Sequence, residues 1–270
     1  MCRIAVLPPG YKGPKIVALL NHLEKSLGGD GNGFGWFDSE GTAQIVKGLK
    51  VPNRTINGLE TGASMVLYHT RKTSAGSTSD DNTQPFLTRD GEKKSVILCH
   101  NGTWSTHTDY KKILLMLEKI DVLAYKDWSD TRLMAWMMEN QGADRLALPE
   151  VGVWILHYGA YAIAHIKTGE FSACKVGKKW IYASEFPATD YPKIWKFKSD
   201  SIVMLSADGG FKVLVGPKPT LEDNKSYAWS GAIGGSTSYY GVKAYIYENG
   251  QRKLLSKYGS GAPYGSNWGY

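Results

Sequence analysis

Short apolar runs of strand length dominate this chain, and helical periodicity is confined to three stretches, so the fold has to be built mainly from sheets with a few helices laid on them. Arg3–Leu7 is an apolar run closed by Pro8, Pro9 and Gly10, and reads as a strand at the start of the sequence. Ile16, Leu19, Leu20, Leu23 and Leu27 keep the i, i+3, i+4 spacing of an amphipathic helix, with Gly28 as its stop. The glycine-rich stretch 28–35 lacks the strand-before, helix-after context of a phosphate loop and reads as a turn into a strand over 34–38. Runs at 65–68 and 96–98 also look like strands, and each delivers a polar cluster at its C-terminal end: His69, Thr70, Arg71 and His100, Asn101, Gly102.

A second helical face is predicted from Tyr110, Ile113, Leu114, Leu117 and Ile120, capped by Thr108 or Asp109. A third helix is expected to begin at Ser129 or Asp130, with Leu133, Trp136 and Met137 on its apolar side. The texture then changes to successive strands at 151–156, 161–166, 171–175, 180–183 and 202–205, separated by Gly, Thr or Pro turns. Helices among early strands followed by an antiparallel set predict a layered α+β architecture. Beyond Gly216 only 243–248 reads as a strand, so we expect a folded domain over 2–216 and a Gly/Ser/Tyr-rich extension over 217–270, part strand and part flexible. Residues 256–270 are expected to be poorly ordered unless they dock on a surface, their own domain before a partner.

Composition limits the function classes. No apolar run approaches the roughly 20 residues needed to cross a bilayer, and no basic segment followed by an apolar stretch opens the sequence, so no membrane association is expected. Three widely spaced cysteines, Cys2, Cys99 and Cys174, form no metal-ligand spacing and no disulfide framework, which fits a reducing, cytoplasmic setting and no metal. The net charge of +7 would attract anionic partners, but the lysines are scattered from Lys12 to Lys257, so nucleic acid is possible without being indicated.

Position two carries the first chemistry. Removal of Met1 before a small residue would give Cys2 both a thiol and a free α-amine. A thiol of pKa near 8.5 is only slightly ionised at neutral pH, and a terminal amine of pKa about 8 can serve as its local base without a histidine. A Cys99–His100 dyad is the alternative, but neighbours on a strand point to opposite faces, so Cys99 and Cys174 read as core.

Taken in order, Cys2-Arg3-Ile4, Tyr68-His-Thr-Arg71, Gly76, Asn82-Thr-Gln-Pro-Phe86, Cys99-His-Asn-Gly-Thr103 and Trp128-Ser-Asp-Thr131 resemble the class II glutamine amidotransferase domain of the N-terminal nucleophile hydrolase superfamily. The likeness spans roughly residues 2–215 and extends weakly to Tyr182-Ala-Ser-Glu185. It implies a four-layer αββα sandwich and hydrolysis of glutamine to glutamate and ammonia, with no cofactor for that half-reaction. By the same resemblance Cys2 is the nucleophile, forming a γ-glutamyl thioester, and Asn101 and Gly102 form the oxyanion hole. Arg71 would grip the substrate α-carboxylate and Asp130 its α-ammonium group, while Asn82, Gln84 and Phe86 lie in a loop that closes over bound glutamine.

The chain departs from the family pattern at Arg3, Lys72, Ser74 and Ala75, which bears on loop detail and substrate preference. A separate synthase is the expected recipient of the ammonia. Two other readings stand beside this one: an N-terminal nucleophile hydrolase for another γ-glutamyl or amide substrate, and a non-catalytic regulatory module that retains the fold.

Overall fold

The computed structural model describes residues 2–141, 148–206, 210–224, 245–248 and 251–254. The chain divides into two compact units, Met1–Tyr227 and Ala228–Tyr270. Two antiparallel sheets form the first. In spatial order the larger holds β14 (Thr220–Asp223), β11 (Lys193–Lys196), β9 (Ser172–Val176), β10 (Lys179–Ala183), β1 (Arg3–Leu7), β4 (Val66–Thr70), β2 (Asn32–Phe37) and β3 (Ala43–Gly48). The smaller holds β13 (Gly210–Val215), β12 (Ser201–Ser206), β8 (Tyr161–Ile166), β7 (Val153–His157), β6 (Ser95–Asn101) and β5 (Phe86–Arg89).

Side-chain alternation along the strands sorts the residues into layers. Ile4 and Val6 of β1 and Leu67 of β4 join Ile97 and Cys99 of β6 in a core between the sheets. Ala5, Leu7, Val66 and Tyr68 point the other way, onto Ile16, Leu19, Leu20 and Leu23 of α1 (Pro14–Leu27). On the far side, Val96 and Leu98 of β6 and Trp154 and Leu156 of β7 are covered by α2 (His107–Met116), α3 (Val122–Asp127) and α4 (Asp130–Gln141). The result is the four-layer αββα sandwich. Each fully buried leucine of α1 is worth about 1.5–3 kcal/mol relative to an exposed one, which anchors a helix that no side chain caps at its N-terminus.

The expectations for α2 meet two corrections, whereas α4 begins at Asp130, where it was expected. α2 starts at His107, ahead of the expected caps, and the Thr106 hydroxyl before it accepts the Trp104 indole N–H at 2.7 Å instead of capping. Its buried stripe is Lys111 and Leu114, whereas Tyr110, Ile113 and Leu117 of the expected face are 44%, 54% and 61% exposed. Lys111 lies buried because its long stem reaches inward and its ammonium donates to the Trp128 carbonyl at 3.1 Å. At α4, Ser129 is the cap, its hydroxyl accepting the Arg132 N–H at 3.1 Å, which leaves the Asp130 carboxylate free for other contacts. α3 has no counterpart in the sequence reading because six residues give too short a window for periodicity.

Residue 216 follows β13 directly, and β14 beyond it pairs with β11, so the larger sheet extends past that point. In the second unit β15 (Tyr245–Glu248) pairs antiparallel with β16 (Gln251–Leu254). The expectations for 256–270 lie outside the described residues.

Candidate active site

Strand register builds the site. β1 and β4 are antiparallel with Arg3 opposite Thr70, so Cys2, one residue ahead of β1, falls beside Arg71 and Lys72 as they leave β4. The thiol is buried, and its Sγ lies 3.5 Å from the Lys72 carbonyl oxygen and 3.4 Å from the Lys72 nitrogen, donating to the first and accepting from the second. Burial pushes the Cys2 pKa up, the Lys72 N–H pulls it down, and the charges of Asp130 and Arg71 act on it in opposite directions. A neutral thiol at physiological pH needs a base.

The nearby histidines do not supply it. Burial holds His69 down to about 3 and His100 to about 4, so both are uncharged. His69 Nε2 lies 3.3 Å from the His100 carbonyl oxygen, while the His100 ring stacks on Trp154 with centroids 3.7 Å apart and planes 5° from parallel. Cys99, next to it on β6, points into the core between the sheets, so the two cannot act as a dyad.

Arg71 is buried and held by the loop that follows it. One guanidinium nitrogen donates to the Ser77 carbonyl and another to the Ala75 carbonyl, each at 2.8 Å, leaving further N–H groups for a ligand. Asp130 accepts the Trp104 N–H through Oδ2 and the Thr131 N–H through Oδ1, both at 2.8 Å, with His100 Nδ1 3.7 Å from Oδ2. These bonds tie the start of α4 to the segment just after Gly102.

Gly102 has to be glycine for reasons of space: a Cβ there would lie 2.5 Å from His100 Nε2 and 2.9 Å from Gly152 Cα. Asn101 is buried at the end of β6, its Nδ2 3.1 Å from Ser184 Oγ. A cavity of about 400 Å³ opens beside this pair, lined also by Arg3, Thr103, Gly152 and Glu170.

Asn82 and Gln84 spend their polar groups within the protein. Asn82 Nδ2 donates to the Asp127 carbonyl at 2.7 Å and to the Ser77 carbonyl at 3.1 Å, and its Oδ1 accepts the Ser129 N–H at 2.9 Å. Gln84 pairs with the His100 backbone, accepting its N–H at 2.7 Å and donating to its carbonyl at 3.2 Å. The 72–83 loop is thus pinned to the junction of α3 and α4, helped by Gly76, whose φ of 69° and close approach to the Asp127 carbonyl, 2.5 Å from a hypothetical Cβ, exclude a larger residue. Asp30 adds a bond from the Thr73 N–H at 2.8 Å, and Ser74 shares a hydroxyl contact of 2.9 Å with Thr103. Asp30, Ser77 and Asp127 were absent from the sequence reading; Asp127 meets Asn82, and Ser77 meets Arg71, through backbone carbonyls, which carry no residue-type signature.

Two face-to-face sheets between helical layers, with a cysteine at the head of a central strand, give the chain the architecture expected of the N-terminal nucleophile hydrolase fold. In sequence, residues 23–117, the stretch that holds Arg71, Asn101 and Gly102, match the family model described as glutamine amidotransferases class-II. Two solved structures share the fold. The glutamine phosphoribosylpyrophosphate amidotransferase from B. subtilis, complexed with ADP and GMP, aligns at 19% identity and TM-score 0.57 over 84% of this chain and 50% of that one. A structure described as the allosteric regulatory enzyme of purine biosynthesis aligns at 20% identity and TM-score 0.59 over 84% of this chain and 49% of its own. The chain therefore spans about half the length of these solved relatives. Comparison with curated proteins gives no match.

Proposed function

We propose that the protein hydrolyses the side-chain amide of glutamine to glutamate and ammonia, with Cys2 as nucleophile. The observation that carries this reading is the buried Cys2 thiol at the Lys72 backbone, influenced by both the Arg71 guanidinium and the Asp130 carboxylate. A cation and an anion flanking one nucleophile suit a substrate head that is itself a zwitterion, which favours glutamine over a simple amide.

In this reading removal of whatever precedes Cys2 frees an α-amine, which takes the thiol proton. The sulfur attacks the amide carbon, and the oxygen's developing charge is met by the Asn101 side chain and the Gly102 N–H. The C–N bond then breaks, ammonia leaves with a proton returned by the amine, and water cleaves the thioester to release glutamate. Asn82 and Gln84 act as positioning residues that keep the 72–83 loop and the end of β6 in place.

Amido transfer requires an acceptor site, and we take the ammonia to be used by a synthase on a separate chain. Three free, buried cysteines are compatible with a reducing compartment such as the cytoplasm. Among the described residues no helix is long and apolar enough to cross a membrane.

The test is incubation with 6-diazo-5-oxo-norleucine, an electrophile shaped like glutamine, followed by mapping of the adduct and assay of glutamate release. A label on Cys2 that is lost in Arg71→Ala is expected. Label confined to Cys99 or Cys174, or an intact mass retaining Met1 in active protein, would overturn the mechanism.

A further inference from the structure

The Asn101 side chain is a planar amide with two chemically different ends. Its Nδ2 lies 3.1 Å from Ser184 Oγ, while its Oδ1 is buried with no hydrogen-bond partner. Ser184, the residue after β10, is buried as well. Its Oγ accepts the Ile4 N–H at 3.0 Å, and its own N–H donates to the Ile4 carbonyl at 3.0 Å. Two donors therefore converge on one hydroxyl, whose own proton meets no acceptor in these contacts. A few bonds away an acceptor, Asn101 Oδ1, has no donor.

A polar group buried without a partner destabilises the arrangement that leaves it so. Nitrogen and oxygen of an amide have nearly the same shape, and a half turn about the last side-chain bond exchanges them without moving other atoms. After that turn the Ser184 O–H donates to Asn101 Oδ1 and still accepts from Ile4. Both of these deficits are removed, and the unmet group becomes Nδ2, whose N–H donors then lie where Oδ1 was and have no acceptor among the described residues.

We propose that Ser184 is a positioning residue that selects this orientation of Asn101, so that the end left for a ligand is a hydrogen-bond donor and not a carbonyl. The inference rests on the reading of Asn101 as an oxyanion donor. With the amide the other way round, carbonyl lone pairs would face the developing negative charge and repel it. With Ser184 donating, the free N–H₂ meets that charge. The paired bonds between Ser184 and Ile4 fasten the same hydroxyl to β1, two residues from Cys2, so donor and nucleophile are referred to one strand.

Two measurements on the full chain test this. Neutron diffraction from deuterium-exchanged wild-type crystals reads the amide directly: a carbonyl oxygen toward Ser184 is expected, and deuterons toward Ser184 would overturn the proposal whether or not the protein hydrolyses glutamine. In steady-state kinetics, Ser184→Ala should lower kcat for glutamine about 10- to 100-fold with KM near the wild-type value, and Ser184→Thr should restore most of it. The rate of Cys2 alkylation by iodoacetamide should stay unchanged in Ser184→Ala, because displacement at a saturated carbon develops no oxyanion. An unchanged kcat, or an equal fall in alkylation, would overturn the positioning role. A wild-type protein that releases no glutamate would defeat the amidohydrolase reading, and the neutron map would still decide the orientation.

Discussion

The Cys2 sulfur sits between the amide nitrogen and the carbonyl oxygen of a single residue, Lys72, at 3.4 and 3.5 Å. The contact is with backbone, so the identity of the Lys72 side chain, which reaches out to Asp30 at 3.4 Å, is not part of it. Lys72→Ala should leave glutamate release within about threefold of wild type, while Cys2→Ala should lower it at least about 1000-fold. Because burial raises the thiol pKa, the thiolate fraction should keep growing with pH beyond the ordinary thiol range. Alkylation rate against pH checks this: about a tenfold rise per unit is expected, and a plateau near neutrality would contradict it.

Asn82 joins the loop after Arg71 to the junction of α3 and α4 through the Asp127 carbonyl and the Ser129 N–H. Asn82→Ala leaves those backbone groups unmet and removes about 1–3 kcal/mol from the pinned form of the loop. The expected result is a KM for glutamine raised about tenfold or more, a smaller change in kcat, and faster proteolysis within 73–81. Unaltered KM and cleavage rate would show that the loop is held by other bonds.

Gly102 has no room for a side chain beside His100 and Gly152. Gly102→Ala should cost about 1–3 kcal/mol of stability through overpacking. Displacing the Gly102 N–H should also lower kcat at least about 100-fold. Urea midpoints and steady-state kinetics on the same preparation separate the two effects. A variant with wild-type kcat would remove Gly102 from the anion site.

His157 is fully buried, with Nε2–H donating to the Met65 carbonyl at 2.8 Å and Nδ1 accepting the Gly159 N–H at 3.2 Å. Burial holds its pKa down to about 4, whereas the unfolded chain protonates near the ordinary value of about 6.5. On acidification the unfolded state binds the proton first, so stability is intact above about pH 6.5 and is lost as pH falls toward 4. At pH 5 this single group should account for about 2 kcal/mol of destabilisation, and buried His69 and His100 act in the same direction. Urea denaturation at pH 7 and pH 5 should show a smaller pH effect in His157→Gln than in wild type; equal effects would rule His157 out as a source.

Much of the architecture could be read from short-range pattern. The β1 run, the apolar stripe of α1 and the strands that run through His69 and His100 all appear where alternation or helical spacing puts them. β3 and β5 escaped notice because apolar and polar residues do not sort cleanly by face in them: Val46 and Leu87 are exposed while Thr88 is buried. The apolar spacing of α2 was genuine, but which face is buried depends on how a helix is laid on the sheet, and here the Lys111 and Leu114 stripe faces inward.

At the site, the residue types that carry charge and nucleophilicity, Cys2, Arg71, Asn101, Gly102 and Asp130, were visible as short motifs in order along the chain. Their spatial relation was not, because antiparallel register between β1 and β4, and the stacking of β6 against them, arise from contacts between residues far apart in sequence. The sequence by itself determined which chemistry was available and which segments could be strands or helices, since both follow from side-chain type and local periodicity. Only the tertiary structure decided that Lys72 would hold the thiol by its backbone and that Ser184 would meet Asn101. Every peptide unit offers the same donor and acceptor, so no code in the residue names marks the ones the fold will use.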